Sequence, residues 1–314
     1  MSVLDFWSDH TYRVVFLGTA VIGVVAGCLG AFAYLRKQSL MSDVISHAAF
    51  PGTLVAFLAA VLVLGVDGRN MGLLVMGAMV VGAAAVGFAH LITAISPIRV
   101  DTAMAISLTL FFGAGMLMMR VISNSGLEGI GGIQDYLFGN ASVMTRADLT
   151  TSWVVGGIAL VTLALCWKEF ALRSFDPHHA EVLGFRGKVI DAVMFTSVVV
   201  ATVIGVKAVG LVLMVAFVVT PPAAARQWTR KLGPMVVLSG IFGGLGSSLG
   251  AYLSIAIGDV PTGPVIVLVL FAVFVVSLVC SPQRSVVAAA MRRVRTRRRL
   301  RAELLAENRE QVRA

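Results

Sequence analysis

The sequence predicts an all-α polytopic membrane protein of eight or nine transmembrane helices. Three observations carry that prediction. Of the 314 residues, 58% are hydrophobic and 13% charged, and the mean hydropathy is +0.92, well outside the balance of a soluble domain. Apolar stretches of about 20 residues, the length a helix needs to cross a bilayer, recur along most of the chain. Basic residues gather in alternate loops, as expected of a chain that crosses back and forth.

The spans fall at residues 13–34, 42–65, 71–95, 101–122, 150–168, 188–206, 209–226, 235–257 and 263–281. Before the first, MSVLDFWSDHTY has two aspartates and no basic n-region, so no cleavable signal peptide is expected. The second opens on SDVISHAAFPG, which places Asp43, His47 and Pro51 at its start. The third, GAAAVGFAHLITAI, has small residues suited to close helix contact around His90. The fourth begins RVDTAMAI, where Asp101 suits an N-terminal cap. The glycine-rich segment 123–149 reads as an ordered loop or short interfacial helix.

After the fifth span comes WKEFALRSFDPHHAEVLGFRGK, mixed in charge. Pro177 can start a helix there and Gly184 can stop one, which brackets a short HHAEVL helix. Such a helix would dock a soluble partner; a solvated connecting loop is the plainer alternative. The stretch after Lys207 fits either a short span or a re-entrant segment. Its Pro221 and Pro222 remove hydrogen bonds to the carbonyls of Phe217 and Val218, predicting a break or a plain helix end before the basic exit.

Arg36 and Lys37, Arg99, the Lys168–Lys188 segment, Arg226, Arg230, Lys231 and the tail share one side. The positive-inside rule then puts the N-terminus outside and the C-terminus in the cytoplasm. Of the net charge of +9, the tail from Pro282 supplies +7, with ten arginines against three glutamates. A basic run such as RRVRTRRRLR just past a final span suits an anionic lipid surface, and no nucleic-acid partner is expected. Cys28, Cys166 and Cys280 lack CxxC spacing, which argues against a disulfide framework or thiolate metal site. No GxxxxGK[ST] phosphate loop is present, so any ATP-driven work needs a separate nucleotide-binding subunit.

Ionisable residues inside a membrane are costly and mark functional pathways. Asp43 and His47, four apart, share one helix face. A carboxylate oxygen and an imidazole nitrogen on adjacent turns can chelate a divalent first-row metal. Pro51 frees the carbonyl of His47 and predicts a kink beside them. The same pair also fits a structural ion pair or a buried histidine. His90 fits core packing and ligation equally, and Asp101 fits a cap better than a ligand. Without thiolates, the donors suit manganese, ferrous iron or zinc, manganese first.

Six segments together resemble the integral membrane permeases of bacterial ABC importers for manganese, zinc and iron. They are SDVISHAAFPGTLVAF, DTAMAISLTLFFGAGM, DYLFGN, FDPHHAEVLGF, AVGLVLMVAFVVTPPAAAR and PTGPVIVLVL, in that order, with the resemblance running from the first span to SPQR at 281–284. It implies a type II-like ABC importer permease fold over 1–281; the basic run at 282–314 is read from its charge as a cytoplasmic tail. It implies a transport subunit rather than an enzyme, multi-pass in the bacterial cell membrane. Its implied partners are two cytoplasmic ATP-binding subunits, an extracytoplasmic metal-binding protein, and a second copy or related permease. No cofactor is held permanently; the divalent ion is cargo. Asp43 and His47 resemble the family's pathway ligands, and His90 and Asp101 lie in segments able to supply further donors. The family's coupling segment falls at about 170–187, with Asp176, Pro177, Ala180, Glu181, Leu183 and Gly184 in the helix that meets the ATPase. The arginine-rich tail and the paired prolines depart from the shared pattern. Rival readings are a permease for metal chelates such as siderophores or cobalamin, an ATP-independent metal channel or carrier, and a non-transporting scaffold.

Overall fold

A computed structural model of the chain describes residues 10–36, 39–65, 71–125, 144–258 and 260–281. Every regular element among them is helical. In chain order these are α1 (His10–Leu35), α2 (Ser39–Leu58), α3 (Met71–Ile95), α4 (Val100–Asn124), α5 (Arg146–Leu165), α6 (Trp167–Phe175), α7 (Pro177–Val182), α8 (Gly187–Val209), α9 (Leu211–Trp228), α10 (Leu232–Ile257) and α11 (Thr262–Cys280). A π-helical turn, Ala59–Leu64, prolongs α2 to Gly65, whose φ of 61° ends it. The arginine-rich tail, DYLFGN and most of the glycine-rich segment lie outside the described residues.

Helices stand at all nine predicted stretches. Six of them, α1, α2, α3, α4, α10 and α11, are long and apolar enough to cross a membrane, and α5 with α6 makes a seventh if that bent pair is one span. The apolar run of α8 is shorter, Val189–Val203, and α9 has 18 residues. Between α8 and α9 the chain turns on Gly210 alone, with φ 89°, a backbone conformation that disfavours any Cβ.

Two sequence expectations need correction. α9 runs unbroken through Pro221 and Pro222, although both lack an N–H. One carbonyl they release, that of Val218, lies against Gly30 of α1, where a Cβ would collide with it. The helix runs on despite the loss, packed tightly on a neighbour at that carbonyl. Pro51 likewise lies within α2. The second correction is α6. The stretch before Pro177, to which the sequence assigns no helix, is a helix set at 67° to α5 across Cys166. Lys168, Glu169 and Arg173 cannot continue an apolar span, so the chain veers off, and Phe170 turns back into the core. There the rings of Trp167 and Phe170 each stand 5.8 Å from Phe32 of α1, edge to face.

α1, α2 and α10 form the enclosed centre, and α3, α4 and α11 are the outer spans. Lipid is as apolar as a leucine side chain, so hydrophobicity alone cannot hold these helices together. Small residues supply the contact instead. A Cβ on Gly23 of α1 would meet the carbonyl of Gly243 in α10, and one on Gly243 would meet the carbonyl of Gly23. Gly52 of α2 and Gly77 of α3 meet in the same way. Inter-helix hydrogen bonds add to this: the Ser107 hydroxyl of α4 donates to the Ala85 carbonyl of α3 at 2.7 Å, and Ser281 donates to the Gln227 carbonyl at the end of α9.

Candidate functional site

From Met41 to Leu54, every residue of α2 is buried except two. Those two are Asp43 and His47. The hydrophobic positions of this helix face α3, α4 and α9 around it, and its one uncovered strip carries the carboxylate and the imidazole. Their side chains are 26% and 14% exposed, so they are shielded yet reachable.

Asp43 Oδ1 lies 3.3 Å from His47 Nε2. Donors about 2.1 Å from a common cation would be about 3.0 Å apart at a right angle and about 3.4 Å apart at a tetrahedral one. The observed separation falls between these values. The two groups can thus share one divalent ion with little rearrangement. His47 Nδ1 is buried and makes no hydrogen bond among the described residues. The ring is held from the side by Phe112 of α4, 4.9 Å away and nearly perpendicular. Ser46 donates to the Asp43 carbonyl at 3.0 Å and leaves the carboxylate free to act.

The other two predicted donors are not brought to this pair. Among the described residues, no three His, Cys, Asp or Glu side chains gather closely enough to hold a metal ion. His90 sits on α3 against Phe195 of α8, ring centres 5.4 Å apart, with Nε2 buried and lacking a hydrogen bond among the described residues. Asp101 is exposed in the first turn of α4. It does not cap the helix as expected: the N-cap is Arg99, without a side-chain hydrogen bond. Two residues inside the helix, Asp101 instead complements its positive end.

The predicted short helix is present as α7. Asp176 Oδ1 accepts from the His179 amide at 2.9 Å, and Pro177 occupies the first turn, where its missing N–H costs nothing. At the other end, Phe185 N–H donates to the Ala180 carbonyl and Gly184 N–H to that of Glu181, a Schellman closure with Gly184 at φ 82°. Ala180 is fully buried and seats the helix. Val182 and Leu183 are 83% and 57% exposed, an unusual display on a charged segment outside the long apolar spans.

One charged cluster escaped the sequence reading. Asp191 is the one acidic residue of the predicted 188–206 span, and an ionisable group there deserved suspicion on that ground alone. It accepts hydrogen bonds from both Arg36 and Arg173.

A model of the ABC 3 transport family matches residues 8–281. The chain belongs to that family. It is a multi-pass membrane transport subunit, not an enzyme. It is 33% identical to the zinc transport system membrane protein TroC of Treponema pallidum over 94% of this chain and 97% of that one. It is 35% identical to the manganese transport system membrane protein MntC of Bacillus subtilis over 91% of this chain, spanning 64% of that longer protein. Among solved structures, PsaBC from Streptococcus pneumoniae in complex with Fab aligns with a TM-score of 0.79 at 28% identity, covering 90% of this chain and 98% of that one.

Proposed function

We propose that this chain is the membrane-spanning half of an ATP-driven importer for a divalent transition metal ion, with manganese the first choice and zinc or iron the alternatives. The observation that carries the reading is the uncovered strip of α2, where a carboxylate and an imidazole stand 3.3 Å apart in a stretch, Met41 to Leu54, that is otherwise buried. The names of the manganese and zinc relatives support the choice of cargo. Two donors do not complete a coordination sphere. A second copy facing a shared pathway brings the same pair and makes four, enough for a tetrahedral ion. His90 and Asp101 are then groups on the approach or exit rather than members of the same shell.

Residues 1–281 are the permease and 282–314 a cytoplasmic tail, in a bacterial cell membrane with the N-terminus outside. An extracytoplasmic metal-binding protein delivers the ion, and ATP-binding subunits dock on α7. The exposed Val182 and Leu183 are the apolar contacts, while Asp176, Pro177, Ala180, Glu181 and Gly184 fix the helix that presents them. Replacing Leu183 with aspartate should leave the fold intact, because the side chain is exposed, and should reduce co-purification of the ATP-binding subunits at least about tenfold. Undiminished co-purification would exclude this docking surface.

Transport by the assembled complex in liposomes tests the reading as a whole. The expected result is ATP-dependent, saturable uptake of free Mn²⁺. Uptake of a metal chelate but not the free ion, or uptake without nucleotide, would overturn it.

A further inference from the structure

Asp191 joins three parts of the molecule. Its Oδ1 receives Nη1 of Arg36, just past the end of α1, at 2.7 Å. Its Oδ2 receives Nη2 of Arg173, on α6, at 3.0 Å, and Nε of Arg173 lies 3.3 Å from both oxygens. Arg173 in turn reaches α7, with Nη1 3.1 Å from Glu181 Oε1 and 3.5 Å from the Pro177 carbonyl. A glycine makes room for this: a Cβ on Gly187 would strike the Arg173 guanidinium. On the far side, the Arg36 guanidinium lies 5.7 Å over the ring of Phe195, which itself contacts His90. A single carboxylate therefore stands between the exposed helix α7 and the side chains of α1, α8 and α3.

Stability alone is a poor reason for such an arrangement. All three charged side chains are mostly covered, and shielded ion pairs often hold a fold no better than apolar residues of like size. What they supply is directional linkage, since a guanidinium fork bonded to a carboxylate fixes orientation as well as distance.

We propose that Asp191 is a positioning residue for transport, clamping α6 and α7 to the end of α1 so that displacement of α7 is carried into the membrane helices. This rests on α7 being the docking helix for the ATP-binding subunits. Its part is to tie their movement to the ion pathway.

The test uses the complete transporter in liposomes, supplied with Mn²⁺ on its binding protein. Three quantities are read: retention of the ATP-binding subunits, ATP hydrolysis, and ATP consumed per Mn²⁺ imported. With Asp191→Asn, retention and hydrolysis should persist while ATP consumed per ion rises about tenfold or more, within the usual range of coupling between sites. Asp191→Glu should recover most of the wild-type ratio. Arg36→Gln leaves Asp191 paired with Arg173 but cuts the link to α1, and should raise the ratio in the same way. The double variant should be no worse than Asp191→Asn alone, because both remove one linkage. A wild-type ratio in both single variants overturns the clamp. If Asp191→Asn fails to accumulate or loses the subunits, Arg36→Gln decides by the same criterion. Failure of the docking reading shows separately, as undiminished subunit retention in Leu183→Asp.

Discussion

If the chain imports metal as proposed, uptake falls about 100-fold when His47 or Asp43 is replaced by alanine, while the chain still reaches the membrane; losing even a group that only supports a metal ligand costs about 10- to 100-fold. The magnitude follows from the geometry. Two donors 3.3 Å apart fix two coordination positions, and removing either leaves a monodentate contact. Folding should survive, because both side chains face the open strip of α2 and neither makes a hydrogen bond to another helix among the described contacts. Val55, further along α2 and exposed, provides the control: Val55→Ala should transport normally. Radioactive Mn²⁺ uptake, normalised to permease in the membrane, makes the comparison. Unchanged uptake in both variants would remove the pair from the pathway.

Gly243→Ala should lower the stability of the membrane bundle by about 2 kcal/mol, the scale of forcing extra carbon into a tight contact. The new methyl would meet the backbone carbonyl of Gly23, and backbone cannot rotate aside as a flexible side chain would. α1 and α10 must then separate along their most intimate crossing. Gly157→Ala in α5 is the matched comparison, since nothing lies within 4 Å of the added carbon. There alanine removes the helix penalty of glycine and should be neutral or stabilising by up to about 1 kcal/mol. Thermal unfolding of both purified variants in detergent reads the difference directly. Equal midpoints would mean that this glycine contact does not organise the bundle.

Much of this architecture was legible in hydropathy, because in lipid every backbone polar group must be satisfied within its own segment. Apolar length therefore maps onto helices with little ambiguity. The capping residues of α7 were equally readable, since Asp176, Pro177 and Gly184 act through local backbone rules that need no tertiary partner. The proline pair of α9 misled because a helix can run on through lost N–H groups when tertiary packing surrounds it, here with the Val218 carbonyl set against Gly30 of α1. α6 was missed for a related reason: its charges mask a helix whose fixing contact is Phe170 on Phe32, far away in sequence. At the site, periodicity was enough to pair Asp43 with His47. No such rule relates His90 or Asp101 to them, and the fold holds these two apart from the pair. Asp191 was overlooked because Arg36 and Arg173 were read only as markers of topology, whereas a lone carboxylate in an apolar span implies that cations stand beside it.

The direct test of ion handling is pulsed electron paramagnetic resonance of Mn²⁺ bound to the assembled permease. Manganese held by an imidazole displays a nitrogen coupling, and that coupling should be present in the native protein and absent after His47→Gln. Bound manganese with no nitrogen coupling in the native protein, or with the same coupling after the substitution, would show that the ion does not rest on the His47 imidazole and would contradict the paired site.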